Sequence, residues 1–600
     1  MDMLKKHLLY LSIISVAAVS CNKTFDPWNN VVPGQSDVYE DPEETNPVSS
    51  DITVDDESGS DDNVANTSFD GTISITFSSS DAKISGSVDG VSVSKSGAHV
   101  TVTNSGENKV KYILSGSSSD GSFKLYSTHK QALQLSNLSL QSSKGAAINN
   151  QSKKRTFIVL EGTNTLADCS VDSNGDYPDQ TADEDEKAAF FSEGQLIFSG
   201  SGTLSVKAVG KAGITSDDYI RFMTGCNVSV TSSKGHGVRG KDAIIVSGGE
   251  VNVTVESGAT GKKCFTTDSL IFVGGGNTTL ANKASAGTVD GEQTGAACIK
   301  ADQIFVIRGG NLNLTASGSG CKCISGDAAG YFEGGSIDAQ STGSNYGSSS
   351  SGKPGLGGNS SSSNSTSAKT IKFDGNLEFS GAQVKAVCSA HEAIESKGTI
   401  YISGGSIYAK SSDDAINSAS TMTISDGVVC ALSTGNDGLD SNGNLIIKGG
   451  TVYAVGCGSP EVGIDANTEQ RYKFYLEGGN VIALGGIESG SSVSQNVIST
   501  SWSKNATYSL CDGDTALFTF KAPSSGGSGL IMSAPSLESN TVYTLKTSAD
   551  VSGADSYFDG TISVGGTATG GGTSSSVKAY AYSSNGGGMG GGGGGGMGWR

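Results

Sequence analysis

The chain has 600 residues with 86 glycines and only 9 prolines, and 40 Lys and Arg against 60 Asp and Glu leave a formal charge of -20. That balance excludes nucleic acid as a partner, since no basic stripe is available to displace phosphate counterions, and it excludes direct adsorption on anionic lipid. Abundant glycine, serine, threonine and asparagine with little proline describe an all-β chain rich in turns.

The first 20 residues read as a signal peptide. Lys5 and Lys6 precede an apolar run from Leu8 to Val19 that is too short to span a bilayer, and Ala18-Val19-Ser20-Cys21 forms a relaxed lipobox. Cys21 is then the lipidated first residue of an exported lipoprotein at the outer membrane, anchored by lipid alone; a plain signal peptide or a short anchor with a chance cysteine is the alternative. Residues 21–67, with "DVYEDPEETNPVSSDITVDDESGSDD", are acidic and poor in large apolar side chains, so they predict a disordered tether.

From residue 68 to 490 a repeat dominates. It reads "HEAIESKGTIYISGGSIYAKSSD", "DAINSASTMTISDGVVCALSTGN" and "DGLDSNGNLIIKGGTVYAVGCGSP", and the anchors Ile394, Ile416, Leu439 and Ile464 recur about every 23 residues. Such a period marks a stacked solenoid. Within a coil, alternation of period two runs on both sides of a Gly-Gly corner such as Gly449-Gly450, which defines short strands meeting at a bend. One coil cannot bury its apolar face alone, whereas parallel stacking buries a continuous core. The predicted fold is a right-handed parallel β-helix. Leucine-rich repeats have a similar period, but their leucine spacing is missing and no segment shows helical periodicity.

Two inserts interrupt the repeat. The acidic "DSNGDYPDQTADEDE" (172–186) opens like a calcium loop with Asp172, Asn174 and Asp176, yet Tyr177 stands where an EF-hand needs glycine. It is read as either a calcium-ordered or a solvated loop. Residues 341–369 are Ser- and Gly-rich and predict a flexible loop. Residues 497–582 lose the period and predict a β-rich cap, and 583–600 a disordered Gly-rich tail.

Ten cysteines remain beyond Cys21. Cys264, Cys298 and Cys323 each precede a large apolar anchor, so stacking places them in one column as small buried side chains; a metal site is the sharper reading, but no histidine accompanies them. His236 and His391 read as incidental turn residues.

The acidic corners carry the candidate chemistry. Glu392, Asp414 and Asp437 align two places before the anchor, while Glu395, Asn417, Asp440 and Asp465 align one place after it, and Asp413 adjoins the first column. Coils about 4.8 Å apart let oxygens on successive coils share one hard cation, and calcium tolerates such irregular carboxylate cages. Solvated turn acids are the plainer reading. On the strands, Tyr408 and Tyr453 fall in the same register two coils apart, about 9.6 Å, and with Tyr401 they offer aromatic faces for sugar rings; tyrosine also simply favours strands.

"SSDDAINSASTMTISDG", "GNDGLDSNGNLIIKGG" and "EGTNTL" followed by an acidic insert resemble the calcium-containing carbohydrate-binding parallel β-helix family, of the cellulose- and polygalacturonate-binding type. The resemblance runs from about Phe69 through the cap. It implies a fold shared with polysaccharide lyases, bound calcium at Asp413, Asp414, Asp437 and Asp440, and a plant-type polysaccharide, acidic or cellulose-like, bound by a monomer without catalysis. "KCFTTDS", "ACIKADQ" and "CKCISGD" lack the acids of that pattern, which removes calcium from the middle coils. A calcium-dependent polysaccharide lyase, with a Lys such as Lys385, Lys397, Lys410 or Lys448 as base, and a surface adhesin are the competing functions.

Overall fold

The computed structural model describes residues 50–289, 291–347 and 365–583. The expectations for the signal peptide, Cys21, the tether up to residue 49, loop residues 348–364 and the tail from 584 lie outside the described residues.

The described chain is a parallel β-solenoid of about 15 turns. Its two 3-10 turns, Val64–Asn66 and Thr468–Gln470, are the sole helical pieces among the described residues, which disposes of the leucine-rich alternative. The anchors hold the register. Ile324, Ile371, Ile394, Ile416 and Leu439 pair in sequence along a 14-stranded sheet, and the bridges from Leu439 to Ile464 and Ile487 continue the column. Longer strands such as Ile400–Ser411 and Met422–Ser433 bend at a glycine corner and supply the other two walls of the coil. At Gly450, φ is +73°, and a Cβ there would lie 2.5 Å from the carbonyl oxygen of Gly427 one coil below, so the corner admits glycine alone.

The interior is apolar with one polar seam. Phe198 and Phe222 stack at 5.3 Å and Phe332 and Phe379 at 4.5 Å, all buried. Beside the anchors, Ser396, Ser418 and Ser441 form a buried ladder in which each hydroxyl donates to a carbonyl of the preceding coil: Gly375, Gly398 and Ser420 respectively. A small hydroxyl closes turn carbonyls that would otherwise be unpaired, and in these three coils the position is serine, whereas Phe373, Gly326 and Ala301 hold it in the coils before. The cysteine column behaves as small core residues: Cys264, Cys298 and Cys323 are buried, and all ten described cysteines are free thiols.

Both ends of the solenoid are modified. Gly529–Ser533 runs antiparallel against Asn480–Leu484 and closes the last coil edge. The rest of the C-terminal region forms an eight-stranded sheet lying against the flank of the last coils, where Leu510, Phe518 and Phe520 cover Cys430, Tyr453 and Ile482.

Residues 50–67 depart from the tether expectation. They form an ordered strap along the outer face of the solenoid. Ile52 seats on Phe272 and Val306. Asp62 accepts from Tyr219 Oη at 2.5 Å and from Arg221 Nη1 at 3.1 Å. Ser50 donates through its N–H and hydroxyl to Glu333, while Arg308 donates to the Ser50 and Ile52 carbonyls. Of the strap's acids, Asp62 is buried against Arg155 and Arg221, while Asp51, Asp55, Asp56 and Asp61 stay exposed. The 172–186 insert is ordered too: Asp172 accepts the N–H groups of Asn174 and Asp176 to close a turn, and buried Tyr177 donates to Asp168 at 2.6 Å.

Candidate functional site

The predicted acid columns assemble where the 14-stranded sheet ends. Glu395, Asn417 and Asp440 are direct register partners, and Asp465 and Glu488 follow the next two anchors, Ile464 and Ile487. Two places before the anchors, Asp437 donates its N–H to Asp414 Oδ1 at 3.0 Å, and Asp437 Oδ1 in turn accepts the Val462 N–H. Asn417 bridges the columns by donating to Asp414 Oδ2 at 3.2 Å and Asp440 Oδ2 at 2.7 Å. Pleating turns the residue one after the inward anchor out of the core, while the residue two before it lies in the turn ahead of the strand, and stacking repeats both every coil.

Charge is balanced unevenly along these columns. At the N-terminal end Lys369, two places before Ile371, puts its ammonium 3.1 Å from Glu392 and 2.5 Å from Glu395. Burial alone would push the Glu395 carboxyl up, but Lys369 and Lys397 more than offset it and hold it below the usual range. His391 sits between Asp413, at 3.0 Å, and Glu392, and these two acids raise its imidazole to about 9. Its ring nitrogen and the two carboxylates lie within 4.8 Å of one another.

Further along, no such cation is found among the described residues. Burial, then repulsion from Asp413 and Glu392, raises Asp414 to about 6; burial, then Asp414 and Asp465, raises Asp440 to about 8. Asp437 is pushed up by burial and by Asp414, and Asp465 by burial and by Glu488. Half-buried carboxylates forced together without a counter-charge are the donor set a hard divalent cation satisfies. Asp414, Asp437, Asp440, Asp465 and Glu488 thus lack a counter-charge, but among the described residues no three of them bring ligand atoms within 4.8 Å of one another, whereas His391, Glu392 and Asp413 at the N-terminal end of the columns do. Sequence reasoning missed Lys369, His391 and Glu488. Lys369 and Glu488 were legible by carrying the two columns to the neighbouring anchors Ile371 and Ile487; the role of His391 was not, because it depends on a turn rotamer.

The tyrosine expectation is half corrected. Tyr408, Cys430 and Tyr453 do share one column. The C-terminal sheet covers it: Tyr453 is 0% exposed and donates to the Lys521 carbonyl at 2.9 Å, and Tyr408 lies 5.7 Å from the Phe558 ring. Neither offers a ring face to a sugar. Tyr401 stays on the open side, in a second outward column with Phe272, Val306, Tyr331, Glu378, Thr423, Ile446 and Tyr475.

Fold and site together define a β-solenoid protein that displays ladders of side chains, one per coil, on flat outer walls. Residues 96–415, more than half of the chain, match the family profile described as carbohydrate-binding domain-containing protein, and the chain belongs to that family. No curated protein matches the sequence. A solved structure described as the polysaccharide lyase-like protein from C. thermocellum, as a gadolinium derivative, is 18% identical over 45% of this chain and 95% of its own, with a TM-score of 0.33.

Proposed function

We propose that this protein binds polysaccharide of pectin-like or cellulose-like type without cleaving it, with calcium at the Asp-rich turns, as an exported lipoprotein held at the outer membrane through Cys21. Family membership supports the carbohydrate, and the open column of Tyr331, Tyr401 and Tyr475 supports an extended one. Tyr331 and Tyr401 are two coils apart, about 9.6 Å, and Tyr401 and Tyr475 three, about 14 Å. That spacing suits alternate stacking along a chain of rings, whose apolar C–H faces pack on aromatic side chains. Calcium would neutralise Asp414, Asp437, Asp440, Asp465 and Glu488 and stiffen the last coils.

The lysines beside the acids argue against a lyase. A base must be deprotonated before it can take a proton. Burial would lower Lys397, but Glu395 more than offsets this and holds it protonated, and Lys385 is paired to Asp338 at 2.9 Å. Retention on insoluble pectin and cellulose, with and without chelator, tests the binding. No retention on either polymer refutes it, and release of unsaturated uronate products refutes the non-catalytic part. Loss of membrane association in Cys21→Ala tests the anchor.

A further inference from the structure

The 14-stranded sheet changes sign along its length. One place after the anchors its outer column runs Thr215, Arg239, Thr266, Lys300, Ser325 and Lys372 before it reaches Glu395 and Asp440. Lys263 and Lys322 share the other column through Ala297, ahead of Lys369 and the acids. A chain of net charge -20 thus carries a basic wall one coil away from its acidic one.

The first part of this wall is a recess of about 560 Å³ lined by Lys187, Lys211, Lys234, His236, Arg239 and Lys262, with Thr215 among them. The lysines come from four successive coils, Lys187, Lys211 and Lys262 in one register column and Lys234 one residue aside, so their backbones repeat at about the 4.8 Å coil spacing. Lys187 is neutralised by Asp185 and Asp217, at 2.7 and 2.6 Å, and Arg239 by Asp268 at 3.0 Å. Lys211 donates to the Gln180 amide and lies over the Tyr177 ring at 4.8 Å, near Asp176 and Glu186 but in a salt bridge with neither, and among the described residues no carboxylate pairs with Lys234 or Lys262. The remaining wall groups are donors. Thr215 is 1% exposed and its hydroxyl has no hydrogen-bond partner. His236 accepts the Lys263 N–H at Nδ1, 3.1 Å, so its one ring proton lies on Nε2. Burial and the surrounding Lys263, Lys262 and Arg239 charges keep that ring neutral.

We infer that this recess is an anion subsite for the bound polysaccharide, taking a carboxylate or sulfate substituent directly on Lys211, Lys234, Lys262, Thr215 and His236. The inference rests on the polysaccharide-binding reading above and extends it: the middle coils hold the polymer's charge without a bridging cation, while calcium belongs to the C-terminal coils. A uronate and a sulfate ester present the same chemistry, oxygens that accept several N–H and O–H donors at once, and both are recognised by convergent cationic donors.

Affinity electrophoresis of the full chain through gels containing polygalacturonate, dextran sulfate or neutral hydroxyethyl cellulose, all in chelator, tests it. The triple variant Lys211→Gln/Lys234→Gln/Lys262→Gln is compared with the charge-matched Lys83→Gln/Lys504→Gln/Lys578→Gln, whose lysines are exposed elsewhere. The expected result is a loss of about tenfold or more, near 1.4 kcal/mol, toward one anionic polymer in the recess variant alone, with melting and hydroxyethyl cellulose retardation unchanged. Which polymer responds tells carboxylate from sulfate. Equal losses in the two triples, no loss, or retardation by the neutral polymer only would overturn the subsite and leave polysaccharide binding standing. Retardation by none of the polymers, together with no retention on pectin or cellulose, would remove both.

Discussion

Lys369 reaches across one coil to Glu395, Nζ to Oε2 2.5 Å, at the point where the basic wall of the solenoid meets the acidic one. A covalently attached cation therefore neutralises the first coil of the acid columns, and among the described residues the coils beyond it have none. Lys369→Met leaves Glu392 with His391 alone and Glu395 with Lys397 alone, and removing one partner of a buried pair costs up to about 3–5 kcal/mol. The expected outcome is a lower denaturation midpoint, partly recovered by millimolar calcium; an unchanged midpoint would place this pair among the energetically neutral ones.

Asp440 is expected to give a crossover. In chelator, Asp440→Asn removes repulsion from Asp414 and Asp465 and melts above the parent, because the parent carries the raised carboxyl at about 8. In calcium the order reverses, since a ligand that binds only the folded state adds about 2.7 kcal/mol at a hundredfold excess over Kd and the variant forfeits part of it. Parallel curves in both conditions would count against a cation at this turn.

The two tyrosine columns should separate binding from folding. Tyr401→Ala, on the open wall, weakens polymer retention with little change in melting. Tyr453→Ala, under the C-terminal sheet, opens a cavity and orphans the Lys521 carbonyl, a loss of about 3–5 kcal/mol by the usual cost of truncating a buried aromatic. Retention and melting assays on both variants check the assignment, and equal effects on both would contradict it.

The strap should loosen in acid. Burial pushes Glu333 up, but Arg308 and the two Ser50 donors more than offset it, so its carboxyl sits below the ordinary 4.5. A depressed carboxyl contributes stability above the unfolded value and loses it as pH falls through the folded one. Hydrogen-exchange protection of residues 50–54, corrected for the intrinsic rate at each pH, is therefore expected to be high at pH 7 and to fall as the Glu333 carboxyl is protonated below its ordinary 4.5, and Glu333→Gln should show the low protection already at pH 7.

The coil, its anchors and both acid columns were legible because each rests on neighbours at most one period away in sequence. Exposure was not. Tyr408 and Tyr453 were correctly aligned, yet residues that fold back on them, Phe558 and Lys521, have no period to betray them. The strap was hidden for a related reason: an acidic stretch reads as solvated until Arg155 and Arg221 are recognised as the partners of Asp62. Arg221, an outward strand arginine with no acid at its register positions in the adjacent coils, was the available signal.

The strap also sets how the molecule would bear load. It runs antiparallel to the coil order, from Ser50 beside Arg308 and Glu333 back to Asp62 beside Arg155 and Arg221, before the chain enters the first strand at Gly71. Tension applied at Ser50 meets the Arg308 clamp first and the Arg221 clamp next, and reaches the hydrogen bonds of the first coil only after both have yielded. Drag on a bound polymer would thus be resisted by sacrificial ion pairs that can re-form, with the first strand shielded from unzipping.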